Sequence, residues 1–341
     1  MFHLFARRRG PLLVTALVVL AAFLTTMPAA TAAPTARHAA PAAGSQRQND
    51  VFIRDIVGDG GAEPDPLSPI WHSPDIWVCN LALPLCAAPG VNPIVSQTNF
   101  VRVRLNNTGP GAVSGTVATN YTQMGAAAIW PNDWNILPNG AFIGAAGVTV
   151  PPGLGSAIVT IPWTAVPGPG HFCLLARFLS AADPMTFPLV PNTVLDTINN
   201  NNVAWHNVDT VQLAGGQPAT RPFMITNATD NVVRANLVIT APTGPFIGPG
   251  KLTIDLGPAL GQMWLAEGAP GIGVRSEGGT VVQILDPKQA VIEGLPIQPG
   301  DRFPTTLTFV AGAPVSTTVL VDETDSQGAD LGGVAYTVST G

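Results

Sequence analysis

Short runs of alternating apolar and polar residues recur along this chain, and proline and glycine separate them. The stretch Asn99–Asn107 reads N-F-V-R-V-R-L-N-N, and after a T-G-P-G turn the residues 113–121 form the return strand. An alternation with a period of two predicts a β-strand with one solvated face. Turn signals spaced about 8 to 12 residues apart are typical of a β-sandwich.

The same pattern continues in the second half of the chain. Further strands are predicted at 222–227, 235–240, 280–285, 305–310, 317–321 and 333–338. The segment 257–267 comes nearest to a helical pattern, and it is short. We therefore predict an all-β fold of two tandem antiparallel sandwiches, one over residues 50–210 and the other over residues 211–341.

Composition narrows the class of partner. Only 11% of residues are charged, and the chain has 36 Gly and 34 Pro, which favours β-structure rich in turns. The formal net charge of -6 argues against nucleic acid and anionic membranes as partners, because both attract basic surfaces.

The amino terminus has the three parts of a secretory signal. Three arginines at positions 7–9 precede an apolar run at 12–24, and Ala30 and Ala32 fit the small-residue pattern of a cleavage site. We predict a signal peptide over 1–32 and a disordered leader, rich in Ala and Pro, over 33–49. The expected product is secreted, with no transmembrane segment in the mature chain.

Three cysteines leave one thiol over after a single disulfide. Cys79 and Cys86 flank a short N-L-A-L-P-L loop, which favours a bond between them. A Cys79–Cys173 bond across two strands is the alternative. Cys173 lies in the apolar run F-C-L-L-A, where a cysteine behaves as a small buried hydrophobic residue.

An acidic, glycine-rich loop precedes the first long strands. It supplies Asp55, Asp59, Glu63 and Asp65, and hard carboxylate oxygens on such a loop suit calcium. The spacing differs from that of an EF-hand, so an ordinary solvated loop is the alternative. No other cofactor is expected.

Four tryptophans are candidate binding residues. Trp71 and Trp77 lie in W-H-S-P-D-I-W-V-C-N, and Trp130 and Trp134 lie in W-P-N-D-W, within a connection rich in Gly, Ala and Pro. Exposed indoles would stack on sugars or contact a protein. The alternative is that they fill the interior and the ends of the sandwich.

Several motifs together resemble a known family of exported modules. They are N-F-V-R-V-R-L-N-N-T-G, W-P-N-D-W, V-P-P-G and I-P-W-T-A-V-P-G-P-G-H-F-C-L-L-A-R-F. They are similar to the cell-adhesion-related domain found in bacteria (CARDB), over residues 50–211. The resemblance implies an immunoglobulin-like β-sandwich without shared catalytic residues. The second half resembles an immunoglobulin-like domain more loosely.

The sequence does not contain a recognisable catalytic motif. G-x-S-x-G and H-E-x-x-H are absent, and His72, His171 and His206 are not spaced as zinc ligands. We expect a secreted binding or scaffolding protein that is not an enzyme and acts on an extracellular protein or the cell surface, through loops carrying Trp130, Trp134 and the acidic segment. The alternatives are a carbohydrate-binding module for cell-wall polysaccharide and a metal-dependent hydrolase on a β fold.

Overall fold

The computed structural model describes residues 50–340, except 66, 82–85, 127, 169–170, 210–211, 214–217, 243–249, 287, 311 and 313–315. The predicted signal peptide and leader, 1–32 and 33–49, lie outside the described residues. None of the helices in the described ranges has the length and apolar character needed to cross a membrane.

The first half of the described chain contains eight strands and two short helices. Their bounds are β1 (Val51–Phe52), β2 (Ile76–Cys79), β3 (Asn99–Asn107), β4 (Val113–Thr122), α1 (Asn132–Asn135), β5 (Gly140–Val150), β6 (Gly155–Trp163), β7 (His171–Leu179), α2 (Thr193–Asn199) and β8 (Val203–Asp209).

The second half contains eleven strands and one helix in the part that the structure describes. Their bounds are β9 (Gln212–Leu213), β10 (Pro218–Thr226), β11 (Val233–Thr240), β12 (Lys251–Asp255), α3 (Gly257–Ala266), β13 (Gly271–Ile272), β14 (Val274–Gly278), β15 (Val281–Ile284), β16 (Gln289–Ile297), β17 (Arg302–Val310), β18 (Ser316–Thr324) and β19 (Asp330–Thr340).

Two antiparallel sheets form the first sandwich. In one sheet β3 pairs with β6 along one side and with β1 and β2 along the other. The second sheet has the order β5-β4-β7-β8. The alternation expected in β3 is present, because Val101, Val103 and Leu105 are buried against the other sheet. The connections β3 to β4 and β6 to β7 cross between the sheets, as in immunoglobulin-like sandwiches.

The second sandwich uses a different strand order. Its sheets are β10-β17-β12-β15-β14 and β13-β16-β11-β18-β19-β9. In the first sandwich β2 pairs with β3, which follows it, and β8 pairs with β7, which precedes it. In the second sandwich β10 crosses to pair with β17, and β18 pairs with β11. The outer strands β10 and β18 of the second sandwich therefore lie in the opposite sheets from their counterparts β2 and β8 in the first. In addition, β9 pairs with β19 as a parallel strand.

The predicted all-β class is confirmed, and two local expectations need correction. Helix α3 forms where the sequence came nearest to a helical pattern, but α1 and α2 were not expected. The strand predicted at 317–321 continues to Thr324, so Asp322 and Glu323 belong to β18, and Glu323 is fully buried. A local charge run does not reveal that its alternate residues face the interior of a sheet.

Three apolar clusters hold the fold together. One fills the first sandwich around residues such as Val103 and Phe178, and another fills the second around Trp264 and Phe309. The third combines side chains of both halves, and we call it the junction core. Its buried members are Ile70, Trp71, Met124, Ala128, Trp134, Cys173, Leu175, Val194, Val203, Trp205 and Ala335, with Met224 and Leu320 packed against them.

Backbone contacts reinforce the junction core. The Trp71 indole packs so closely on Gly333 that a Cβ added there would overlap the ring. The Asn207 side-chain amide donates to the Gly333 carbonyl at 3.0 Å, and the Met224 amide donates to the Met124 carbonyl at 2.9 Å. The described residues accordingly belong to one compact unit.

Candidate functional site

Three of the four predicted metal-ligand residues converge in the loop after β1. Each of Asp55, Asp59 and Asp65 offers a carboxylate oxygen, and these oxygens lie within 4.8 Å of one another. The side chains are only 2%, 9% and 7% exposed, respectively. Among the described residues this is the one group of chelating side chains that meets in this way. We call it the aspartate cluster.

Hydrogen bonds within the loop fix the aspartate cluster. The two oxygens of Asp59 accept from the amides of Gly61 and Asp55, at 2.7 and 3.1 Å. One oxygen of Asp65 accepts from the Leu67 amide at 2.9 Å. Short polar side chains that bond to nearby amides stabilise such turns.

The run of asparagines before β8 anchors the same loop from outside. The Ile53 amide donates to the Asn201 carbonyl at 2.9 Å, and the Asn201 side chain donates to the Gly61 carbonyl at 3.1 Å. The Asp65 amide donates to the Ile198 carbonyl at 2.8 Å. The positions of the carboxylates are therefore set by the sandwich as well as by the loop.

Glu63, the fourth predicted ligand, points away from the aspartate cluster. Its two oxygens accept from the Asn201 amide at 2.9 Å and from the Thr186 hydroxyl at 3.0 Å. The expectation that Glu63 is a metal ligand is therefore wrong in this structure. The reason is that the asparagine run, which lies more than a hundred residues later in the chain, already uses this carboxylate.

The three aspartates are buried, and their carboxylate oxygens are not all hydrogen-bonded. Burial raises the pKa of Asp55 well above its usual range, and the negative charges of Asp59 and Asp65 raise it further. Burial also raises the pKa of Asp59 and that of Asp65. One buried oxygen of Asp55 and one of Asp65 have no hydrogen-bond partner in the structure. Such groups are unfavourable unless a proton or a cation neutralises them.

The structure places three of the four candidate tryptophans in the interior. Trp71 and Trp134 are 0% exposed and Trp77 is 1% exposed, so none presents a ring face to a ligand. The Trp134 indole nitrogen donates to the Thr193 hydroxyl at 3.0 Å. The expectation that these three indoles are exposed for binding is wrong, and the alternative of interior packing holds, because Trp71 and Trp134 belong to the junction core and the Arg104 guanidinium lies 5.4 Å from the Trp77 ring centroid.

Trp130 is half-buried, and its ring face is occupied. The guanidinium of Arg177 lies 4.2 Å from the ring centroid, a cation–π contact within the protein. Of the four tryptophans it is the most accessible, but a ligand would have to displace Arg177 to stack on this face.

The predicted disulfide is present. Cys79 and Cys86 are bonded with their Cα atoms 5.9 Å apart, and Cys173 is free and buried. The alternative Cys79–Cys173 pairing is thereby excluded. Burial raises the pKa of the Cys173 thiol to about 12, so it stays protonated.

The histidines lie near the junction, but they do not form a chelating group within the described residues. The rings of His72 and His206 are 5.5 Å apart, and the His171 ring is 5.4 Å from that of Tyr336. Burial lowers the pKa of His171 and that of His206 to about 3. Both side chains are therefore neutral at physiological pH.

An exposed apolar segment was missed in the sequence. Ile136 and Leu137 follow α1 and are 57% and 69% exposed, and Phe142 on β5 is 54% exposed. The signal was available in N-I-L-P, where two large apolar residues interrupt a turn-forming stretch.

Comparison with known proteins gave structural similarities only. No protein-family model and no curated protein matches the chain. The CARDB domain of the PF1109 protein from Pyrococcus furiosus, solved in complex with di-metal ions, is 21% identical, and the match covers 43% of this chain and 97% of that domain with a TM-score of 0.24. This is the type of domain that the sequence motifs resemble.

Two other solved structures illustrate the range of matches. A red sea bream transglutaminase is 12% identical, with a TM-score of 0.20, and the match covers 74% of this chain but only 30% of the transglutaminase. The N-terminal domain of PorA is also 12% identical, with 38% of this chain and 85% of that domain covered and a TM-score of 0.21. Because these scores are low, the description of the fold rests on the strand order given above.

Proposed function

We propose that this chain is an exported, non-catalytic scaffold that presents two firmly joined β-sandwiches to a protein or cell-surface partner. The junction core carries the proposal. Trp71 reaches from the first half onto Gly333 of the second, and buried side chains of both halves surround it. Such an apolar interface holds two modules at a fixed spacing, whereas loosely linked domains move independently.

Two further features support export and a structural role for the reactive groups. The Cys79–Cys86 disulfide is typical of proteins that leave the reducing cytosol, and it agrees with the signal sequence predicted at 1–32. His171 and Cys173 are buried beside each other, with the His171 Nε2 atom 3.4 Å from the thiol sulfur. A neutral, buried histidine and thiol are suited to packing.

The exposed apolar segment after α1 is the contact surface that we propose. Ile136 and Leu137 are adjacent and project from a short connection, with Phe142 on the following strand. Large apolar side chains that are exposed to solvent are typical of protein recognition sites. The partner that fits this surface is an extracellular protein or a protein of the cell surface.

Photocrosslinking in the producing cells tests this surface. A photoreactive amino acid at position 136 or 137 should give one defined protein adduct. The same amino acid at the exposed Ile272, on the second sandwich, is the matched control and should give none. Equal labelling from all three positions, or from none of them, would contradict the proposed surface.

The carbohydrate-binding alternative makes an opposite prediction in a sedimentation assay. Because Trp71, Trp77 and Trp134 are buried and Arg177 covers Trp130, we expect the pure protein to stay in solution with insoluble chitin, cellulose or peptidoglycan. Saturable co-sedimentation with one of these polymers, lost on Trp130→Ala, would favour a carbohydrate-binding module instead.

A further inference from the structure

The aspartate cluster has the dimensions of a site for one large divalent cation. Oxygens bound to one calcium ion at about 2.4 Å can be at most about 4.8 Å apart, and the oxygens of Asp55, Asp59 and Asp65 meet that limit. The hydrogen bonds to Gly61 and Leu67 hold two of the three carboxylates in place before any ion binds. The geometry is therefore preorganised.

Two buried oxygens in the cluster point to a ligand. Asp55 is 2% exposed and Asp65 is 7% exposed, and each has one oxygen without a hydrogen-bond partner. The adjacent Arg54 does not neutralise them, because its guanidinium binds Asp75 at 2.6 and 2.9 Å. Buried carboxylates with unused lone pairs are normally paired with a cation or a metal ion.

We propose that Asp55, Asp59 and Asp65 bind one calcium ion. All three ligands are hard oxygens, whereas zinc and copper prefer sites that include nitrogen or sulfur donors. Calcium takes six to eight oxygens with flexible geometry, so backbone carbonyls and water complete the shell. Magnesium requires near-octahedral geometry at about 2.0 to 2.1 Å and keeps several waters, so it is usually bound by one or two carboxylates rather than by three.

Calcium titration of the full-length mature protein tests the proposal. After removal of metal with a chelator, isothermal titration with calcium chloride should show one ion bound per chain. At about a hundredfold excess over the dissociation constant, the melting temperature should rise by about 5 °C or more. Magnesium at the same concentration should produce a much smaller rise.

The variants Asp55→Asn and Asp65→Asn should lose calcium binding. The matched control is Asp230→Asn, which changes an exposed carboxylate in a turn of the second sandwich and should bind calcium as the wild type does. Asp55→Asn should also melt at a higher temperature than the wild type in chelator, because a neutral amide avoids the cost of burying an ionisable carboxyl group beside two other carboxylates. In calcium the order should reverse.

This crossover distinguishes a metal site from a buried protonated carboxyl group. If Asp55→Asn stabilises the protein equally with and without calcium, the carboxyl is simply protonated and the proposal is wrong. An equal response to magnesium would also overturn the assignment to calcium. The crosslinking test of the scaffold is independent of calcium, so either proposal can fail while the other stands.

Discussion

Asp75 lies in the corner before β2, and its carboxylate joins three segments of the first sandwich. It is fully buried and accepts hydrogen bonds from Arg54 at 2.6 and 2.9 Å and from the Asn106 side chain at 2.8 Å. Arg104 approaches it at 3.4 Å. These partners lie 21 to 31 residues away in the sequence, so no local motif identifies them.

Replacement of this carboxylate should chiefly lower stability. Asp75→Ala leaves the half-buried guanidinium of Arg54 without its partner, so we expect a loss of about 3 kcal/mol in the free energy of unfolding. Urea denaturation measures it, with Asp230→Ala as the matched surface control. A midpoint for Asp75→Ala within error of the control would contradict the structural role.

His171 should make the protein sensitive to acid. Its pKa is lowered to about 3 in the folded protein by burial, against about 6.5 in the unfolded chain, so below pH 6.5 the unfolded state binds the extra proton. Stability should fall as the pH drops from about 6.5 toward 3. In His171→Gln this contribution is absent, and the variant should gain about 1.4 kcal/mol per pH unit relative to the wild type over that range.

Denaturant unfolding at pH 7.5, 5.5 and 4.5 measures the effect. The stability difference between His171→Gln and the wild type should move steadily in favour of the variant as the pH falls. A difference that stays constant with pH would show that folding does not lower the pKa of His171.

At the scale of single elements, strand β18 extends beyond its sequence prediction. The strand was expected at 317–321, and it continues to Thr324 with Glu323 facing the interior. Burial raises the pKa of Glu323 well above its usual range, and the backbone hydrogen bond with Thr226 offsets only part of this rise. Burial therefore favours the protonated form of the side chain.

Glu323 should have the opposite pH dependence from His171. The folded state keeps its proton while the unfolded chain releases it above about pH 4.5, so this group contributes stability at low pH that is lost as the pH rises. Glu323→Gln removes the titration and should gain stability relative to the wild type between pH 5 and 8. Parallel urea titrations at about three pH values check the sign, and a gain toward acid would contradict it.

The elements also show where a local sequence pattern is sufficient to predict the structure. Strand β3 was predicted because its alternation is local and the inward residues at its centre are Val101, Val103 and Leu105. The burial of Trp134 could not be predicted in the same way. Its side chain contacts Thr193 and Trp205, which lie about 60 to 70 residues further along the chain. An aromatic residue in a proline-rich connection has the same sequence signature whether it faces solvent or the interior.

At the scale of the whole molecule, the junction core should make the two sandwiches unfold together. Gly333→Val places side-chain atoms where the Trp71 indole lies, so we expect the interface to open. Calorimetry should show one transition for the wild type and two for the variant.

A second glycine provides the control for this experiment. In Gly147→Ala the added Cβ has its nearest neighbour 3.9 Å away, so the melt should stay close to that of the wild type. A single transition in Gly333→Val, at an unchanged temperature, would show that the sandwiches do not depend on this contact.

The sequence predicted the all-β class of this fold better than the connections between its strands. Alternation in β10 and β18 indicates which face is buried, but it does not indicate which neighbour pairs with the strand, so the exchange of outer strands was not foreseen. The aspartate cluster was partly visible as an acidic loop. Glu63 does not join the cluster because its carboxylate accepts a hydrogen bond from the Asn201 amide, which lies in a distant part of the chain.

The buried Cys173 thiol is a natural probe of the opening of the molecule. It belongs to the junction core and, with a pKa near 12, it will react with an alkylating reagent only when the two halves part. The rate of labelling under native conditions therefore measures how often the junction core opens, without any engineered probe.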